Sequence, residues 1–331
     1  MPNARTETGS QAGGTTPEQP RLGVVVPPTI PAGDFVAFVR EAERLGFHEV
    51  WLVEDCFLRG AFAQAATVLA TTSSLGVGLG IVPAAARNVA FAAMEIATLA
   101  ELYPGRLTVG VGHGIPDWID QAGAWPSSPL TLLDEYVHVL RRLLTGDQVE
   151  FSGRYVRLRD VQLAHPPSVV PPVLAGVRGV KSLQLSGRVA QGTVLAEPVT
   201  PEYLTFARAH IAAADHQIVA YNLASVDDDP LVARGRVRGA LGVVGEPDWA
   251  PHVAVLDIAG ELAELRQRTG SAAAFAAALP DSWVDRLAIV GTADVARAQL
   301  LALGSSGADR VALIPAYPDL MSSLSSLARL L

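Results

Sequence analysis

Three ionisable residues, Glu54, Asp55 and His113, each follow a short run of apolar residues. A buried carboxyl group near a second one has a raised pKa and can donate or accept a proton. Consecutive side chains at a strand end point in different directions, so at most one of the two carboxylates would face a barrel interior. We interpret all three residues as candidates for acid–base catalysis. The alternatives are a helix cap or a salt bridge to Arg59 for the carboxylates, and an exposed loop position for His113.

A second candidate site is a glycine-containing turn that leads into a predicted helix. Free backbone N–H groups at a helix N-terminus bind anions, and glycines allow a close approach. Lys181 is the only lysine in the chain, whose other 24 basic residues are arginines. The turn therefore predicts a phosphate site, with an ordinary strand-to-helix turn as the alternative. Its residues are Gly176, Val177, Arg178, Gly179, Val180 and Lys181.

Two glycine-rich runs, GVGLG at 76–80 and GVGHG at 110–114, are similar to fragments of a dinucleotide-binding loop. Both lie within predicted strands, and no acidic residue follows at the end of a next strand, as that fingerprint requires. A glycine inside a strand more often marks a bulge or a close approach of backbone to a ligand. We adopt that interpretation for Gly80.

Eight short apolar runs alternate with helical stretches, which is the pattern of repeated βα units around a parallel sheet. This count predicts an α/β fold, a closed (β/α)8 TIM barrel with its active site at the C-terminal ends of the strands. The predicted strands are 22–26, 49–53, 75–81, 107–112, 172–175, 192–196, 217–223 and 310–315. The predicted helices are 32–45, 59–72, 89–102, 130–144, 181–189, 201–213, a tract across 229–279, and 293–303.

Some segments depart from this repeat. Residues 148–157 alternate around Ser152–Gly153 and predict a β-hairpin inserted before strand five, as part of a lid. Residues 286–291 predict an extra strand that is not a ninth barrel strand. Residues 1–20 are rich in polar residues, Gly and Pro, which predicts a disordered N-terminal tail. The remainder, 21–331, is predicted to be a single domain.

Composition excludes several classes of protein. The formal charge is -8, and the arginines are scattered, which argues against nucleic acid as a partner. The single cysteine, Cys56, excludes a disulfide framework or a multi-cysteine metal site, and we expect no metal. We expect no membrane segment and a cytoplasmic location. Charged residues make up only 18% and hydrophobic residues 50%, so we expect a homo-oligomer, in particular a dimer.

Taken together, five stretches resemble the luciferase-like monooxygenase superfamily of flavin- or deazaflavin-dependent oxidoreductases. Within it, the chain is similar to the branch of F420-dependent methylene-tetrahydromethanopterin reductase. The stretches are LGVVVP at 22–27, GFHEVWLVED at 46–55, the segment 75–114, GVRGVKSLQLSGRVAQGTVLAE at 176–197, and the segment 286–315. They cover most of the chain between 22 and 315.

This resemblance implies where a cofactor would bind. The ring would stack against a bulge at the end of strand three, often with a non-proline cis peptide, and the phosphate would reach the turn identified above. The cofactor-binding residues implied in this way are Gly80, Ile81, Val82, Gly112 and Gly114, together with the turn from Gly176 to Lys181.

The sequence also departs from the family pattern. Deazaflavin members end strand two with a carboxylate and a histidine; here Glu54 matches the carboxylate and Asp55 occupies the histidine position. The acid–base residue is therefore open among Asp55, Glu54 and His113. Val180 stands where proline is common before the lysine. The Asn-Pro-Tyr-Thr pattern after strand three is replaced by Pro-Ala-Ala-Ala at 83–86, so a pterin substrate is not implied.

The leading hypothesis is a coenzyme F420-dependent oxidoreductase that transfers a hydride to or from a small organic substrate. The first alternative is an FMN-dependent monooxygenase that uses O2 and reduced flavin from a separate reductase. A cofactor-binding barrel without turnover is a third. A metal-dependent hydrolase that uses Glu54, His113 and Glu197 as ligands would need a His-x-His pair after strand one, which the sequence lacks.

Overall fold

Eight parallel strands close into a barrel in the computed structural model of this chain, which describes residues 19–317 and 319–331. The described residues form eleven strands, of which β5, β6 and β10 lie outside the barrel. The strands are β1 (Arg21–Val25), β2 (Glu49–Leu52), β3 (Gly76–Pro83), β4 (Leu107–Gly112), β5 (Val149–Ser152), β6 (Arg157–Val161), β7 (Val173–Gly176), β8 (Gly192–Leu195), β9 (Gln217–Val226), β10 (Ile289–Gly291) and β11 (Arg310–Pro315). The barrel order is β9-β11-β1-β2-β3-β4-β7-β8, and pairing of β8 with β9 closes it. The predicted TIM barrel is confirmed.

Helices connect successive strands and cover the outside of the barrel, as crossover connections between parallel strands require. They are α1 (Phe35–Leu45), α2 (Ala61–Thr71), α3 (Val89–Leu102), α4 (Pro116–Gln121), α5 (Pro129–Leu144), α6 (Val180–Val189), α7 (Pro201–Ile211), α8 (Pro230–Arg238), α9 (Ala250–Val253), α10 (Ala259–Thr269), α11 (Ala272–Ala278), α12 (Asp281–Leu287), α13 (Ala293–Ser305) and α14 (Leu320–Leu327). Every residue of β2 and β4 is buried, because one face meets the barrel interior and the other meets helices.

Trp51 fills the middle of the barrel and is fully buried. A glycine on the neighbouring strand β3 makes room for its ring: a Cβ atom on Gly78 would lie 2.4 Å from the indole. The indole nitrogen donates a hydrogen bond of 2.7 Å to Glu49, which pairs with Arg310 at 3.3 Å. The interior is therefore packed with side chains and is not a pore, as is usual for this barrel type.

A bulge interrupts β3 near its C-terminal end. The register of β3 against β4 shifts between Leu79 and Val82, and the Gly80–Ile81 peptide is cis. The bulge expected at the end of strand three is therefore present, and it turns the backbone of Gly80 and Ile81 toward the mouth of the barrel.

The hairpin insertion is confirmed, but its predicted bounds were wrong. It consists of β5 and β6 and ends at Val161, four residues beyond the predicted limit. Glu135 of α5 accepts hydrogen bonds from the backbone N–H groups of Arg154, Tyr155 and Val156, at 2.7 to 2.9 Å. These contacts hold the hairpin tip against α5, so the hairpin packs on the side of the barrel.

The second irregular region is also more broken than the sequence suggested. The tract 229–279 contains four helices, α8 to α11, with 3-10 turns at Gly239–Gly245 and Pro247–Trp249. Glycines and prolines interrupt it, since both destabilise helix interiors. Residues 286 and 287 belong to α12, so the extra strand begins only at Ile289. It pairs with the end of β9 outside the closed barrel, as expected.

The first described residues contact the C-terminal end of the chain. The side chain of Gln19 donates a hydrogen bond of 2.9 Å to the carbonyl oxygen of Leu330. The predicted disordered tail, 1–20, otherwise lies outside the described residues, and the single domain at 21–331 stays a prediction. Within 19–317 and 319–331, the structure contains no helix with the length and apolar character needed to cross a membrane.

Candidate active site

A cavity opens at the C-terminal ends of the barrel strands, where active sites of this fold lie. Its wall combines apolar side chains with a few ionisable groups, which is typical of a site for an organic ligand. The lining residues are Glu54, Asp55, Cys56, Gly80, Ile81, Pro83, His113, Gly114, Ile115, Trp118, Gly176, Val177, Arg178, Ser182, Val194, Ala196 and Tyr221. The hairpin is not among them, so the structure does not support its expected role as a lid.

The three candidate acid–base residues, Glu54, Asp55 and His113, all line this cavity. So do six of the eleven implied cofactor-binding residues: Gly80, Ile81, Gly114, Gly176, Val177 and Arg178. Most of the loops identified from the sequence therefore meet at one cavity, because residues that follow parallel strands lie at the same end of a barrel.

Five implied cofactor-binding residues do not line the cavity: Val82, Gly112, Gly179, Val180 and Lys181. Val82 is 2% exposed and packs into the core, because the bulge ends before it and β3 resumes its pairing with β4. Gly112 is enclosed between Gly176 and Ile81. Gly179 precedes α6, and Val180 and Lys181 are exposed in its first turn.

Asp55 forms no ion pair or side-chain hydrogen bond with the residues that the structure describes. Burial raises the pKa of its carboxyl group, because water no longer stabilises the charged form. A carboxyl group that is unpaired and prone to protonation can act as an acid or a base toward a ligand in the cavity.

Glu54, unlike Asp55, is engaged in contacts with other side chains and backbone. Its carboxylate forms a two-point ion pair with Arg87, at 2.7 and 2.8 Å, and accepts the N–H of Ala61 at 3.1 Å. It therefore caps α2 and joins two loops. Of the alternatives, the helix cap was right and the salt bridge to Arg59 was wrong, because Arg59 donates to carbonyl oxygens of the loop after β1.

Two further ionisable groups belong to this region. Burial lowers the pKa of His113, which keeps its ring neutral at pH 7. Burial raises the pKa of Glu197, at the end of β8, and the negative charge of Asp55 adds to this effect. Burial therefore disfavours the charged forms of Asp55, His113 and Glu197.

The turn from β7 into α6 has the geometry of an anion site. The first N–H groups of α6 lack intrahelical acceptors, as at any helix N-terminus. The cap residue, Gly179, is extended and has no side chain that could accept hydrogen bonds from them. Ser182 lines the cavity in the first turn of the helix, and its hydroxyl donates to the Gly179 carbonyl at 2.8 Å. This turn therefore places free N–H groups, the hydroxyl of Ser182 and the guanidinium of Arg178 within one turn of helix.

Sequence reasoning missed the segment that holds this turn in place. The guanidinium of Arg178 lies 5.1 Å from the ring centre of Trp249 and donates to the carbonyl of Asp248 at 2.9 Å. The indole nitrogen of Trp249 donates to the carbonyl of Glu197 at 3.0 Å. Nothing in the sequence around 245–251 indicates these partners, which are 52 to 71 residues away.

Sequence reasoning also missed Tyr221, Trp118 and Ser182 in the wall. Tyr221 lies inside the apolar run of β9, where no pattern distinguishes an inward-facing tyrosine from core. Trp118 is on α4, a short helix that the sequence did not predict. Ser182 directly follows Lys181, the last of the cofactor-binding residues that the resemblance implies.

The sequence matches a known protein family. A family of proteins described as luciferase-like monooxygenases matches residues 6–310, which is most of the chain. The chain belongs to this family. Membership confirms the predicted resemblance and the predicted enzyme class, an oxidoreductase.

Relatives within this luciferase-like family include two archaeal enzymes named 5,10-methylenetetrahydromethanopterin reductase. The one from Methanolobus tindarius is 27% identical over 307 residues, which is 88% of this chain and 92% of the relative. The one from Archaeoglobus fulgidus is 25% identical over 93% of this chain and 98% of the relative.

Solved structures share the luciferase-like fold. The coenzyme F420 dependent tetrahydromethanopterin reductase from Methanopyrus kandleri aligns with a TM-score of 0.79, at 20% identity over 94% of this chain and 98% of that one. An F420-dependent secondary alcohol dehydrogenase aligns at 0.75, with 21% identity over 95% and 98%. The oxygenating component of a Pseudomonas putida diketocamphane monooxygenase, in complex with FMN, aligns at 0.67, with 15% identity over 94% and 96%.

Proposed function

We propose that this protein is a coenzyme F420-dependent oxidoreductase that transfers a hydride to or from a small organic substrate. The observation that carries the proposal is the position of Asp55, a partly buried carboxyl group with no ion pair among the described residues, in the wall that also contains the Gly80–Ile81 bulge. Relatives of nearly full length are methanopterin reductases, and a structural neighbour is F420 dependent.

The residues present fit a flat ring with a phosphate on a side arm. Ile81, Val177 and Val194 give the cavity apolar surface. Gly176 keeps this surface open beside the bulge, because a Cβ atom there would lie 2.4 Å from Ile81. The turn into α6 supplies N–H groups and cations for a phosphate. We propose that Lys181, although exposed, contributes its positive charge to the phosphate end of the site.

The chain's own groups would manage the proton that accompanies hydride transfer. When bound, a deazaflavin supplies the carbon that accepts or donates the hydride. Asp55 can hold a proton for the substrate oxygen or take one from it, because burial favours its protonated form. His113 stays neutral and can donate or accept a hydrogen bond. Glu54 positions the loop that carries Asp55 through its pair with Arg87.

The FMN-dependent monooxygenase remains the second candidate, because the fold also carries FMN in the diketocamphane enzyme. That function would require reduced flavin from a separate reductase. The relatives with high coverage favour F420, since they are named as reductases and not as monooxygenases. A direct comparison of cofactor binding distinguishes the two candidates.

The test is a titration of the purified protein with oxidised F420 and, separately, with FMN, followed by ligand fluorescence. We expect tighter binding of F420. We expect Lys181→Ala to weaken binding roughly tenfold, as loss of one charged phosphate contact does. Arg188→Ala is the matched control, because it removes an exposed positive charge from the other end of α6.

Each outcome of this titration is informative. Tighter binding of FMN would replace the F420 assignment with the monooxygenase. Failure of both cofactors to bind below about 100 μM, a weak affinity for a cofactor site, would end the oxidoreductase assignment at this cavity. Equal effects of Lys181→Ala and Arg188→Ala would contradict the phosphate site at the turn.

A further inference from the structure

The hydroxyl group of Tyr221 lies against the bulge of β3. Tyr221 is 5% exposed, lies on β9 and lines the cavity. A Cβ atom built on Gly80 would be only 1.9 Å from its hydroxyl oxygen. Glycine is therefore required at position 80 for this hydroxyl to be where it is. Trp51 packs edge-on against the tyrosine ring at 5.6 Å and holds it in the barrel interior.

This hydroxyl has no hydrogen-bond partner among the residues that the structure describes. A buried hydroxyl without a partner costs free energy, and phenylalanine would fill the same space without that cost. Buried polar groups in native proteins almost always find a partner in protein, water or ligand. A free hydroxyl at the cavity wall therefore indicates a partner that binds in the cavity.

The surroundings keep this hydroxyl a neutral donor. Burial raises the pKa of Tyr221 well above its ordinary value, and the negative charges of Glu49, Glu197 and Asp55 raise it further. Burial therefore favours the protonated phenol, which can donate a hydrogen bond.

We propose that Tyr221 is a cofactor-binding residue, whose hydroxyl donates a hydrogen bond to an acceptor atom of the ring bound against Gly80 and Ile81. The inference rests on the proposed function and adds a contact to it. The hydroxyl has no protein partner among the described residues, so a hydrogen bond to the ring would add to affinity and orient the ring relative to Asp55.

The test compares Tyr221→Phe with the matched control Tyr136→Phe. Tyr136, on α5, is also buried and also has a hydroxyl without a partner in the described ranges, but it lines a different cavity. F420 and FMN are titrated into the wild type and both variants, with fluorescence for affinity and absorption for the bound ring. We expect Tyr221→Phe to raise Kd roughly five- to tenfold and to shift the absorption of the bound ring. Tyr136→Phe should leave both unchanged.

A melting curve without cofactor gives a second, independent readout. Tyr221→Phe should unfold at the same or a higher temperature than the wild type, because it removes a polar group that the free protein leaves unpaired. A clear decrease would show that the hydroxyl serves the free protein and would overturn the proposal.

The outcomes separate this inference from the function on which it rests. If the wild type binds a cofactor and Tyr221→Phe binds it equally well, with the same absorption, Tyr221 is not a cofactor-binding residue while the proposed function stands. If the wild type binds neither cofactor, the proposed function fails and the inference fails with it. A selective loss in Tyr221→Phe supports both.

Discussion

Asp55 and Glu54 are neighbours in sequence with opposite surroundings. Arg87 neutralises Glu54, whereas Asp55 has no cationic partner within 19–317 and 319–331. A carboxylate held in an ion pair is a poor proton carrier, because its charged form is stabilised. At the scale of single residues, this difference supports the proposal that Asp55 transfers the proton and that Glu54 positions the loop.

We expect Asp55→Asn to lower kcat at least about 100-fold, the usual effect of removing a general acid or base. Affinity for the cofactor should change less than twofold, since the amide keeps the shape of the side chain. Steady-state kinetics and the titration above measure the two quantities. Asp117→Asn, an exposed position on α4, is the control. Equal activity of the two variants would remove Asp55 from the mechanism.

The raised pKa of Asp55 also predicts how stability depends on pH. The folded protein holds this proton at pH values above about 3.9, where the unfolded chain has released it. Stability contributed by this group is therefore present at low pH and lost as pH rises through the folded pKa. Asp55→Asn should melt at a higher temperature than the wild type at pH 7.5, and the difference should disappear below about pH 4. A lower melting temperature at pH 7.5 would contradict this.

At the scale of elements, the Glu54–Arg87 pair joins the loop after β2 to the loop after β3. The guanidinium of Arg87 also lies over the ring of Phe62 on α2, 4.9 Å from its centre. Two connections that bracket the cavity are thus fixed to each other and to a helix. This tie is stronger than an exposed ion pair, because the side chain of Glu54 is only 11% exposed.

We expect Arg87→Met to lower the free energy of unfolding by about 2 kcal/mol, because it leaves the Glu54 carboxylate enclosed without its cation. Urea unfolding measures the change. Arg297→Met removes an exposed ion pair with Asp294 and should have little effect. A similar small effect for both variants would show that the loops are held by other contacts.

At the scale of the whole molecule, Arg310 joins strands at the amino end of the barrel. It bonds to Glu49 at 3.3 Å, to Thr108 at 3.0 Å and to Gln217 at 3.2 Å, which belong to β2, β4 and β9. Glu49 is 4% exposed. Loss of the arginine would leave a buried carboxylate without its cation.

We therefore expect Arg310→Met to destabilise the protein by about 3 to 5 kcal/mol. The double variant Arg310→Met with Glu49→Gln should recover part of this loss, because no charge is then left buried. Chemical unfolding of wild type, single and double variants measures the coupling. Additive effects in the double variant would show that the two side chains act independently.

The expected homodimer is also a property of the whole molecule and stays a prediction. The structure adds one observation, a row of exposed apolar side chains on α3, formed by Phe91, Met94 and Leu102, each more than half exposed. We expect a dimer by sedimentation analysis and a shift to monomer in Phe91→Glu with Met94→Glu. Monomeric wild-type protein at micromolar concentration would contradict the prediction from composition.

The sequence by itself determined the barrel, its strand order and the end at which the candidate active site lies. Runs such as LGVVV and LTVGVG are mostly apolar and contain no charged residue, which predicts burial on both faces, and their alternation with helices leaves few topologies. Residues directly after such strands meet at one edge. Asp55, His113 and the turn at 176–181 could therefore be identified before the structure was known.

Only the tertiary structure decided which of these residues form ion pairs or hydrogen bonds with other described residues and which do not. Arg87 reaches Glu54 across 33 positions, Trp249 holds Arg178 across 71, and Tyr221 meets Gly80 across 141. Such contacts depend on how strands and loops are placed in space, and the local pattern of apolar residues does not indicate them. Burial also sets the pKa values of Asp55 and His113, because desolvation depends on everything packed around a group and not on its neighbours in the chain.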